Sequence, residues 1–487
     1  MMEIAFNDRV KIGLQYALDT LHLNSPFGQE RVRRLHFYAP EERDTLEKEL
    51  QNTARAAAHA QTLKGLFEEI ALVLCGVKDI RPSISRCKEG EILDHVELFE
   101  LKGYLMRLME LRPLVERLKE ATGISDLDWL DPTDALNVLD PDRTRSRGFY
   151  IPDGATERLK AIRAEKKRLE AALYHAETDA ERTELKNRRA RVCADEDAEE
   201  RAVRMHMCEA LTPDLDALLA STDTVGRLDL LLNKAQFAVR YGGVQPEITE
   251  STLELTDMVN PELVDLLAEK GRAFVPVSIA LERGAAVITG ANMGGKSVAL
   301  KTLALNVLLF QTGFLVPAKR ARMPIFSEVQ MLFEDLQSIQ SGLSGFGSEI
   351  VAFEQALARV ERGFSLFLLD EFARGTNPDE GARIVQAVTC YLNGVNAISV
   401  LSTHYDRVAD AANRHYQIIG LKDVDPDRIR RELSAGVDDG VALIARHMNY
   451  GLYRVEGSAD CPKDALNICR MLSLKPEILE RIAESYE

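Results

Sequence analysis

The chain has 487 residues and a formal net charge of −16. Its length exceeds that of a usual domain several-fold and excludes a short or disordered protein, and its 46% apolar and 28% charged residues are typical of folded globular proteins. The negative charge opposes nonspecific wrapping of nucleic acid and binding to anionic membranes, so any DNA contact would need a local basic patch.

The cysteines and the N-terminus predict a cytoplasmic protein with no membrane partner. The seven cysteines are scattered and never spaced as C-x-x-C: Cys75, Cys87, Cys193, Cys208, Cys390, Cys461 and Cys469. Such spacing predicts free thiols in a reducing compartment rather than disulfides or metal ligands. The start, MMEIAFNDRVK, is charged and lacks the apolar region of a secretory signal. The most apolar run, Leu303 to Phe310, is too short to span a bilayer.

Residues 1–245 are predicted to form an all-α core or lever domain. Apolar residues recur there at helical spacing, as in the stripe Leu63, Leu66, Phe67, Ile70 and Leu74. Within this domain, residues 152–210 are predicted to form a charged helical hairpin, a short clamp that turns between Glu177 and Ala180. Its apolar seam is narrow and suits two helices packed mainly on each other; it consists of Leu159, Ile162, Leu169 and Leu173.

The hairpin is locally basic, although the protein as a whole is acidic. Between Arg158 and Arg191, 11 Lys or Arg stand against 6 Asp or Glu, a local charge of +5. Two interpretations follow from these residues. One is a solvated charged hairpin, and the other is a tip that contacts phosphate groups.

The sequence pattern of residues 246–425 predicts an α/β P-loop domain. Short apolar runs alternate there with helical segments; the runs are FVPVSIAL, AAVITG, FSLFLLDE and AISVLSTH. Buried strands separated by helical crossovers predict a mainly parallel sheet.

Residues 426–487 are predicted to be a helical segment with helices at Asp464–Leu474 and Pro476–Tyr486, the second opened by its proline.

The segment GANMGGKS predicts a phosphate-binding loop. It fits G-x-x-x-x-G-K-[ST] and lies between a predicted strand and a predicted helix, as this motif requires. Its glycines let backbone N–H groups turn onto phosphate oxygens at the helix N-terminus. Lys296 is predicted to reach the β and γ phosphates, and the Ser297 hydroxyl to bind Mg²⁺. The predicted ATP-binding residues are Gly290, Ala291, Asn292, Met293, Gly294, Gly295, Lys296, Ser297 and Val298.

Two further strand ends carry candidate catalytic groups. FSLFLLDE ends in Asp370, a predicted Mg²⁺ ligand, and Glu371, which is predicted to polarise the attacking water; a solvated strand end is the alternative. LSTH ends in His404, whose imidazole could sense or orient the water beside the γ-phosphate, although a lone histidine at a strand end is more often structural. The predicted catalytic residues are Lys296, Glu371 and His404.

The motifs TGANMGGKS, LLDEFARGTNPDEG and STHYD resemble the MutS family of DNA mismatch-repair ATPases, whose fold belongs to the ABC-type P-loop class. SPFGQERVRRLHFYAPEERDTLEKEL is similar to the start of that family's helical core, and the charged hairpin resembles its clamp. The sequence from Tyr453 to Tyr486 resembles the helix pair that follows the family's ATPase domain and helps it dimerise. The resemblance implies a multidomain chain with an all-α core, lever and clamp, then an α/β P-loop ATPase domain and a C-terminal helical pair.

The resemblance also implies a dimer, of identical or related chains, with composite ATP sites. In such sites a serine of one subunit faces the γ-phosphate held by the other, and Ser344 of SGLSGFGSE takes that position. From the residues alone this glycine- and serine-rich stretch would be a flexible loop. The resemblance further implies that Arg374, Gly375 and Thr376 help to couple the two sites.

Departures from the family pattern shape the functional expectation. The chain begins at the helical core, so we expect neither the connector domain nor the N-terminal domain with its Phe-x-Glu wedge. The string Phe67-Glu68-Glu69 lies inside an amphipathic helix and is not that wedge. The clamp is short, and we expect no nuclease-like tail. The resemblance then implies an ATPase that opens and closes a helical clamp in a DNA-related process other than mismatch sensing.

An alternative client is a protein. Short MutS-like chains of this layout also resemble those encoded with adenosylcobalamin-dependent lysine or ornithine aminomutases. Those MutS-like proteins serve as ATPases that reactivate the aminomutase. A third possibility, a subunit that binds ATP without turnover, is disfavoured because all the expected catalytic residues are present. The sequence leaves open whether the client is duplex or branched DNA or an aminomutase.

Overall fold

A computed structural model describes most of the chain: residues 4–145, 151–290, 295–333, 345–421, 424, 447–456, 469 and 474–484. The chain divides into two compact units. Unit 1 comprises Met1–Leu21, His36–Ala54 and Lys234–Glu487, and unit 2 comprises His22–Leu35 and Arg55–Asn233. This division differs from a contiguous boundary near residue 245, because two N-terminal segments join the unit that contains the sheets.

The predicted combination of a helical part with an α/β part is confirmed. The helices are α1 (Phe6–Lys11), α2 (Leu14–Asp19), α3 (Pro26–Arg33), α4 (Arg43–His59), α5 (Lys64–Leu74), α6 (Arg81–Lys88), α7 (His95–Thr122), α8 (Thr133–Leu139), α9 (Glu157–His175), α10 (Asp179–Leu211), α11 (Leu215–Tyr241), α12 (Pro261–Glu269), α13 (Lys296–Gln311), α14 (Gly345–Val360), α15 (Pro378–Leu392) and α16 (Pro476–Glu484). Short 3-10 turns occupy Pro40–Glu42, Asp153–Ala155, Thr212–Asp214 and Val408–Ala411. Within the part of the chain that the structure describes, no helix is both long and apolar enough to cross a membrane.

The helical pattern of unit 2 follows the sequence closely. Four residues of the predicted stripe, Leu66, Phe67, Ile70 and Leu74, are buried in α5, whereas Leu63 is its half-buried N-cap. Phe67 is only 2% exposed, as expected of a core residue in an amphipathic helix. Helix α7 begins with a capping box, in which the Asp94 carboxylate accepts hydrogen bonds from the backbone N–H groups of Val96 and Glu97. It ends at Gly123, whose φ of +70° suits a glycine cap.

The charged hairpin consists of α9 and α10. The Thr156 and Thr178 hydroxyls cap the two helices, and the chain turns between His175 and Asp179, as predicted. Leu159 and Leu169 of the predicted seam are buried, whereas Ile162 and Leu173 are half-buried. The seam therefore forms with a narrower buried core than the sequence pattern suggests.

The strands of the described residues lie in unit 1 and form three sheets. They are β1 (Gly243–Val244), β2 (Glu247–Thr249), β3 (Leu253–Met258), β4 (Val277–Leu281), β5 (Gly284–Thr289), β6 (Val316–Pro317), β7 (Arg320–Pro324), β8 (Glu328–Leu332), β9 (Ser365–Asp370), β10 (Ala397–Thr403), β11 (Arg414–Gly420) and β12 (Asn449–Val455). The sequence did not indicate the four-stranded sheet of order β2-β7-β3-β4 or the short pair β1-β6.

The six-stranded sheet confirms the predicted mainly parallel arrangement. Its order is β12-β11-β5-β10-β9-β8, and all neighbours pair in parallel except β12, which is antiparallel to β11. Helices α14 and α15 cover the face that carries Val287, Phe367 and Leu401, and α13 contacts β9 and β10. Burial on both faces explains the near-continuous apolar runs of the central strands.

The predicted helical segment 426–487 needs a correction. Its residues 449–455 form β12, which extends the large sheet. This strand, NYGLYRV, has no apolar run because it is an edge strand whose residues are half-buried or exposed. The second predicted C-terminal helix is confirmed as α16, whereas the first, Asp464–Leu474, lies outside the described residues apart from two positions.

A buried ion pair lies at the C-terminal end of α13. The Lys234 ammonium, 3% exposed, donates to Glu49 Oε1 at 2.7 Å and to the Thr312 carbonyl at 2.8 Å. Thr312 is the C-cap of α13, where a cation complements the negative end of the helix dipole. Lys234 thus joins α4, α11 and the end of α13 within unit 1.

Candidate nucleotide site

The sheet register brings three sequence motifs to one edge. Strand β10 pairs in parallel with both β5 and β9, with Thr403 opposite Thr289 and Ser402 opposite Asp370. Parallel strands have their carboxyl ends at the same edge of a sheet. The residues that follow these strand ends, including Gly290, Glu371 and His404, therefore emerge side by side.

The helix that follows β5 begins where the phosphate-binding loop was predicted. Gly295 is the N-cap of α13 and has a φ of +91°, which disfavours any side chain. A Cβ at Gly295 would also lie 2.8 Å from the Tyr450 ring. No side chain of the described residues caps this helix, so its first N–H groups suit an anion. The loop residues Ala291, Asn292, Met293 and Gly294 lie outside the described residues.

Lys296 points into the site from the first turn of α13. Its ammonium donates a hydrogen bond to the Gly290 carbonyl at 2.7 Å. The same nitrogen lies 3.5 Å from Glu371 Oε1. A buried ammonium needs such partners, and here they belong to the two motifs that were predicted to meet.

The acidic pair at the end of β9 is held by the neighbouring strand. The Ser402 hydroxyl donates to Asp370 Oδ1 and accepts a hydrogen bond of 3.0 Å from the Glu371 backbone N–H. The Glu371 carboxylate also lies 3.2 Å from Arg374 Nη1. Glu371 has a φ of +50°, a conformation that is rare for residues other than glycine.

His404 is half-buried beside these charges. Burial lowers the pKa of His404; the Glu371 carboxylate opposes the shift, and Lys296 and Arg374 reinforce it. No described residue offers a hydrogen-bond partner to its buried Nδ1. The imidazole is therefore neutral at pH 7, and one ring nitrogen is left for a ligand or water.

The remaining predicted residues lie near this edge or outside the described chain. Ser297 and Val298 occupy the first turn of α13 and are half-buried. Arg374 is exposed, and the Thr376 hydroxyl lies 3.3 Å from Glu380 Oε2. Ser344 lies outside the described residues, immediately before α14.

The donor set fits a nucleotide triphosphate with a divalent cation. An uncapped helix N-terminus and a buried ammonium suit phosphate oxygens, and Asp370 with the Ser297 hydroxyl offers oxygen ligands. Among the described residues, no group of three His, Cys, Asp or Glu could hold a metal ion. A cation here would therefore depend on phosphate oxygens and water for its other ligands, which is how Mg²⁺ usually binds.

Sequence reasoning missed the residues that support this edge. Ser402 was read only as part of the STH motif, and Glu349 only as part of a loop sequence. The Glu349 carboxylate accepts a 3.0 Å hydrogen bond from the Ala373 backbone N–H, and the Tyr405 hydroxyl donates to the Ala373 carbonyl at 3.0 Å. No sequence signal points to such side-chain contacts with a distant backbone.

Comparison with known proteins supports the family resemblance. The MutS domain V model matches residues 286–472. A protein named Endonuclease MutS2 from Staphylococcus epidermidis is 31% identical over 225 residues, which cover 46% of this chain and 28% of that protein. Proteins of the same name from Staphylococcus aureus and Staphylococcus saprophyticus are each 30% identical over 224 residues, with the same coverage.

The region of similarity thus covers less than a third of the length of each of these curated relatives. The domain V match nevertheless includes the end of β5 together with α13, β9 and β10, whose strand ends and first helical turn form the site. The resemblance drawn from the sequence motifs is confirmed: residues 286–472 match MutS domain V, and about half of the chain is similar to proteins named Endonuclease MutS2.

Proposed function

We propose that this protein is a MutS-like ATPase that binds ATP with Mg²⁺ and hydrolyses it to ADP and phosphate. The observation that supports this most directly is the convergence of Lys296, Glu371 and His404 beside the uncapped N-terminus of α13. Lys296 comes from the first turn of α13, whereas Glu371 and His404 follow the ends of β9 and β10. A structural ion pair would explain Lys296 and Glu371, but it would not explain the neutral histidine with its free ring nitrogen.

Each group has a role that follows from its chemistry. The backbone N–H groups from Gly290 to Val298 and the Lys296 ammonium hold the phosphates. Ser297 and Asp370 would hold Mg²⁺, and the bound cation would supply positive charge beside the phosphate oxygens. Glu371 polarises the attacking water, and neutral His404 orients it through a ring nitrogen. The Ser402 hydroxyl holds the Asp370 carboxylate and the Glu371 backbone N–H in position through its two hydrogen bonds.

The composite site of the family extends this proposal to a dimer, either of identical chains or with a related MutS-like chain. Ser344 of one subunit would face the γ-phosphate bound by the other. Mixing Ser344→Ala subunits with Lys296→Ala subunits should then restore part of the activity at one of the two sites. Absence of any rescue would count against this arrangement across the interface.

The catalytic assignment is tested by Glu371→Gln. This variant keeps the shape of the side chain but cannot polarise water as a carboxylate does, so we expect turnover to fall about 10²- to 10⁴-fold. ATP binding should persist, and the variant should accumulate as a closed, ATP-bound dimer. Phosphate release and size-exclusion chromatography with ATP would measure both effects. Normal turnover would remove Glu371 from its proposed role.

We further propose that the ATPase acts in a DNA-related process through the hairpin of residues 152–210. The support is family membership and the local positive charge between Arg158 and Arg191. Retention of duplex and branched DNA at two salt concentrations tests this client, because phosphate contacts weaken steeply with salt. If no salt-sensitive binding occurs at low salt, the DNA client is excluded.

A specific observation favours the second candidate, a reactivating ATPase for an adenosylcobalamin-dependent aminomutase. Eight of the 11 basic residues between Arg158 and Arg191 form ion pairs within the hairpin or its base. Over the whole hairpin, 13 Lys or Arg stand against 14 Asp or Glu. Such a self-neutralised surface suits a protein client. ATP-dependent recovery of an inactivated aminomutase would support this candidate, and no recovery would oppose it.

A further inference from the structure

The turn that follows β9 is strained. Glu371 has a φ of +50° and Ala373 a φ of +63°, and a left-handed conformation is unfavourable for a residue other than glycine. Two such residues within three positions persist only where surrounding groups hold them. This turn, residues Asp370 to Ala373, carries both acidic groups of the nucleotide site.

Three side chains hold the strained turn in place. Ser402 binds its first half, through Asp370 and the Glu371 backbone N–H. The second half is held at Ala373, whose N–H donates to Glu349 Oε1 at 3.0 Å and whose carbonyl accepts from the Tyr405 hydroxyl at 3.0 Å. Both backbone groups of the buried Ala373 thus bond to side chains.

Glu349 differs from the other two residues in its place in the fold. Ser402 belongs to β10 and Tyr405 is the second residue after that strand, whereas Glu349 lies near the start of α14. A second contact joins the same two elements: a Cβ at Gly375 would lie 3.3 Å from the Phe346 backbone nitrogen, so glycine allows a close approach there. The segment from Asp370 to Gly375 therefore meets the beginning of α14 at two points, one within the strained turn and one just beyond it.

The charges around Tyr405 support the same grouping. Burial raises the pKa of the Tyr405 hydroxyl, and the nearby carboxylates of Glu349 and Glu371 raise it further. The Tyr405 hydroxyl therefore stays protonated and can donate to Ala373. A carboxylate that accepts from a backbone N–H forms a charge-assisted hydrogen bond, which is stronger than a neutral one.

We propose that Glu349 is a positioning residue of the nucleotide site, which fixes the strained Asp370–Ala373 turn through the Ala373 N–H. This inference rests on the proposed ATPase function. Without the bond, the turn loses its anchor on α14, and the Glu371 carboxylate is free to leave the direction set by its left-handed backbone. Glu349 itself touches neither nucleotide nor water in this role.

The first test needs no nucleotide. Hydrogen exchange of a peptide covering residues 371–376 should speed up at least about tenfold in Glu349→Ala, because the Ala373 N–H loses its acceptor. Glu349→Gln keeps an acceptor oxygen and should exchange like the wild type. The matched control Glu354→Ala removes an exposed carboxylate from the same helix and should have no effect. Unchanged exchange in Glu349→Ala would overturn the proposal.

The second test measures turnover. In Glu349→Ala we expect kcat to fall about 10- to 100-fold, because a small misplacement of a catalytic group has an effect of this size. The dissociation constant for ATP should change less than about twofold, and Glu349→Gln should recover most of the rate. A residue with only a structural role would lower the melting temperature in both variants without separating kcat from ATP binding, and that result would oppose the proposal.

The two tests separate failure of the inference from failure of the proposed function. If the wild-type protein neither binds nor hydrolyses ATP, the ATPase proposal fails and the catalytic consequence fails with it, while exchange still decides whether Glu349 anchors the turn. If the wild type hydrolyses ATP and Glu349→Ala does so equally fast, the inference fails alone. Exchange in α7 peptides serves as the check that each variant is folded.

Discussion

Lys296 and Glu371 form a buried ion pair between two motifs that lie 75 residues apart in the sequence. Their side chains are 2% and 13% exposed, and their charged atoms are 3.5 Å apart. The carboxylate compensates the charge of the ammonium. Phosphate would compete for the same ammonium, so nucleotide binding would release Glu371 towards the water that it is proposed to polarise.

Loss of the Lys296 ammonium should weaken ATP binding. We expect Lys296→Ala to raise the dissociation constant for a non-hydrolysable ATP analogue about 10- to 150-fold, which corresponds to the 1.5–3 kcal/mol of a charge-assisted hydrogen bond. Isothermal titration calorimetry measures this constant. The control Lys301→Ala removes a lysine from the next turns of α13 and should bind normally. Equal affinities of the two variants would contradict the role of Lys296.

The depressed pKa of His404 predicts a pH dependence of turnover. Burial holds this pKa below the usual value of 6.5, so the neutral imidazole predominates at pH 7. We expect kcat to be constant near neutral pH and to fall on an acidic limb with a midpoint below 6.5. His404→Gln should be slow, without that limb. A limb in wild type centred above 6.5 would contradict the assignment.

The same shift makes a prediction about stability. The pKa of His404 is lower in the folded protein than in the unfolded chain, so the unfolded chain binds the proton more readily. Its contribution to stability is therefore complete above about pH 6.5 and declines as the pH falls from there towards the folded pKa. Between pH 5 and 8, the melting temperature of the wild type should fall relative to that of His404→Gln as the pH is lowered. A relative rise of the wild-type melting temperature would show that this sign is wrong.

The buried Lys234–Glu49 pair should matter for stability. Lys234→Met removes the cation and leaves Glu49 and the Thr312 carbonyl without it, so we expect a loss of about 3 kcal/mol in the free energy of unfolding. The double variant Lys234→Met/Glu49→Gln should recover part of this loss, because the negative charge that Lys234 compensates is removed as well. Urea unfolding measures all three proteins.

An exposed pair provides the matched control for this measurement. Lys64 and Glu68 on α5 are 77% and 68% exposed, so Lys64→Met should change stability by less than about 1 kcal/mol. If Lys234→Met were as stable as Lys64→Met, the pair at the end of α13 would have no structural importance.

The hairpin offers a quantitative test of DNA binding. Among the described ion pairs, none includes Lys167, Lys186 or Arg191, and all three side chains are exposed. If the hairpin contacts DNA through them, replacing all three by Gln should reduce the slope of log K against log salt by about 2.7. Fluorescence anisotropy at several salt concentrations gives this slope. Lys270→Gln/Lys319→Gln, at exposed positions outside the hairpin, should leave it unchanged.

Local patterns predicted much of this structure because they depend on nearby residues. The stripe in α5, the turn between α9 and α10, and the strand–loop–helix order around Gly290 follow from side-chain periodicity and glycine placement. The strand ends at Asp370 and His404 could be assigned to one edge because parallel strands share a direction. Family resemblance then supplied the roles.

Long-range features escaped prediction for physical reasons. Strand β12 gains its place by pairing with the edge of β11, and its own residues show no buried pattern. The bonds of Ser402 and Glu349 to the catalytic turn depend on the register of β10 and the placement of α14. Such contacts cannot be predicted from neighbouring residues, because they join positions that are far apart in the sequence and meet only in the folded chain.

The position of β10 between β5 and β9 has a consequence for how this site can change. Strands in a sheet lie about 4.8 Å apart, so β10 sets the spacing between the loop that begins at Gly290 and the acidic turn at Asp370. Substitution of one apolar residue in β10 alters packing at one point. Insertion or deletion of a single residue would instead turn Ser402 and His404 to the opposite face together. The length of this strand is thus under tighter constraint than its composition.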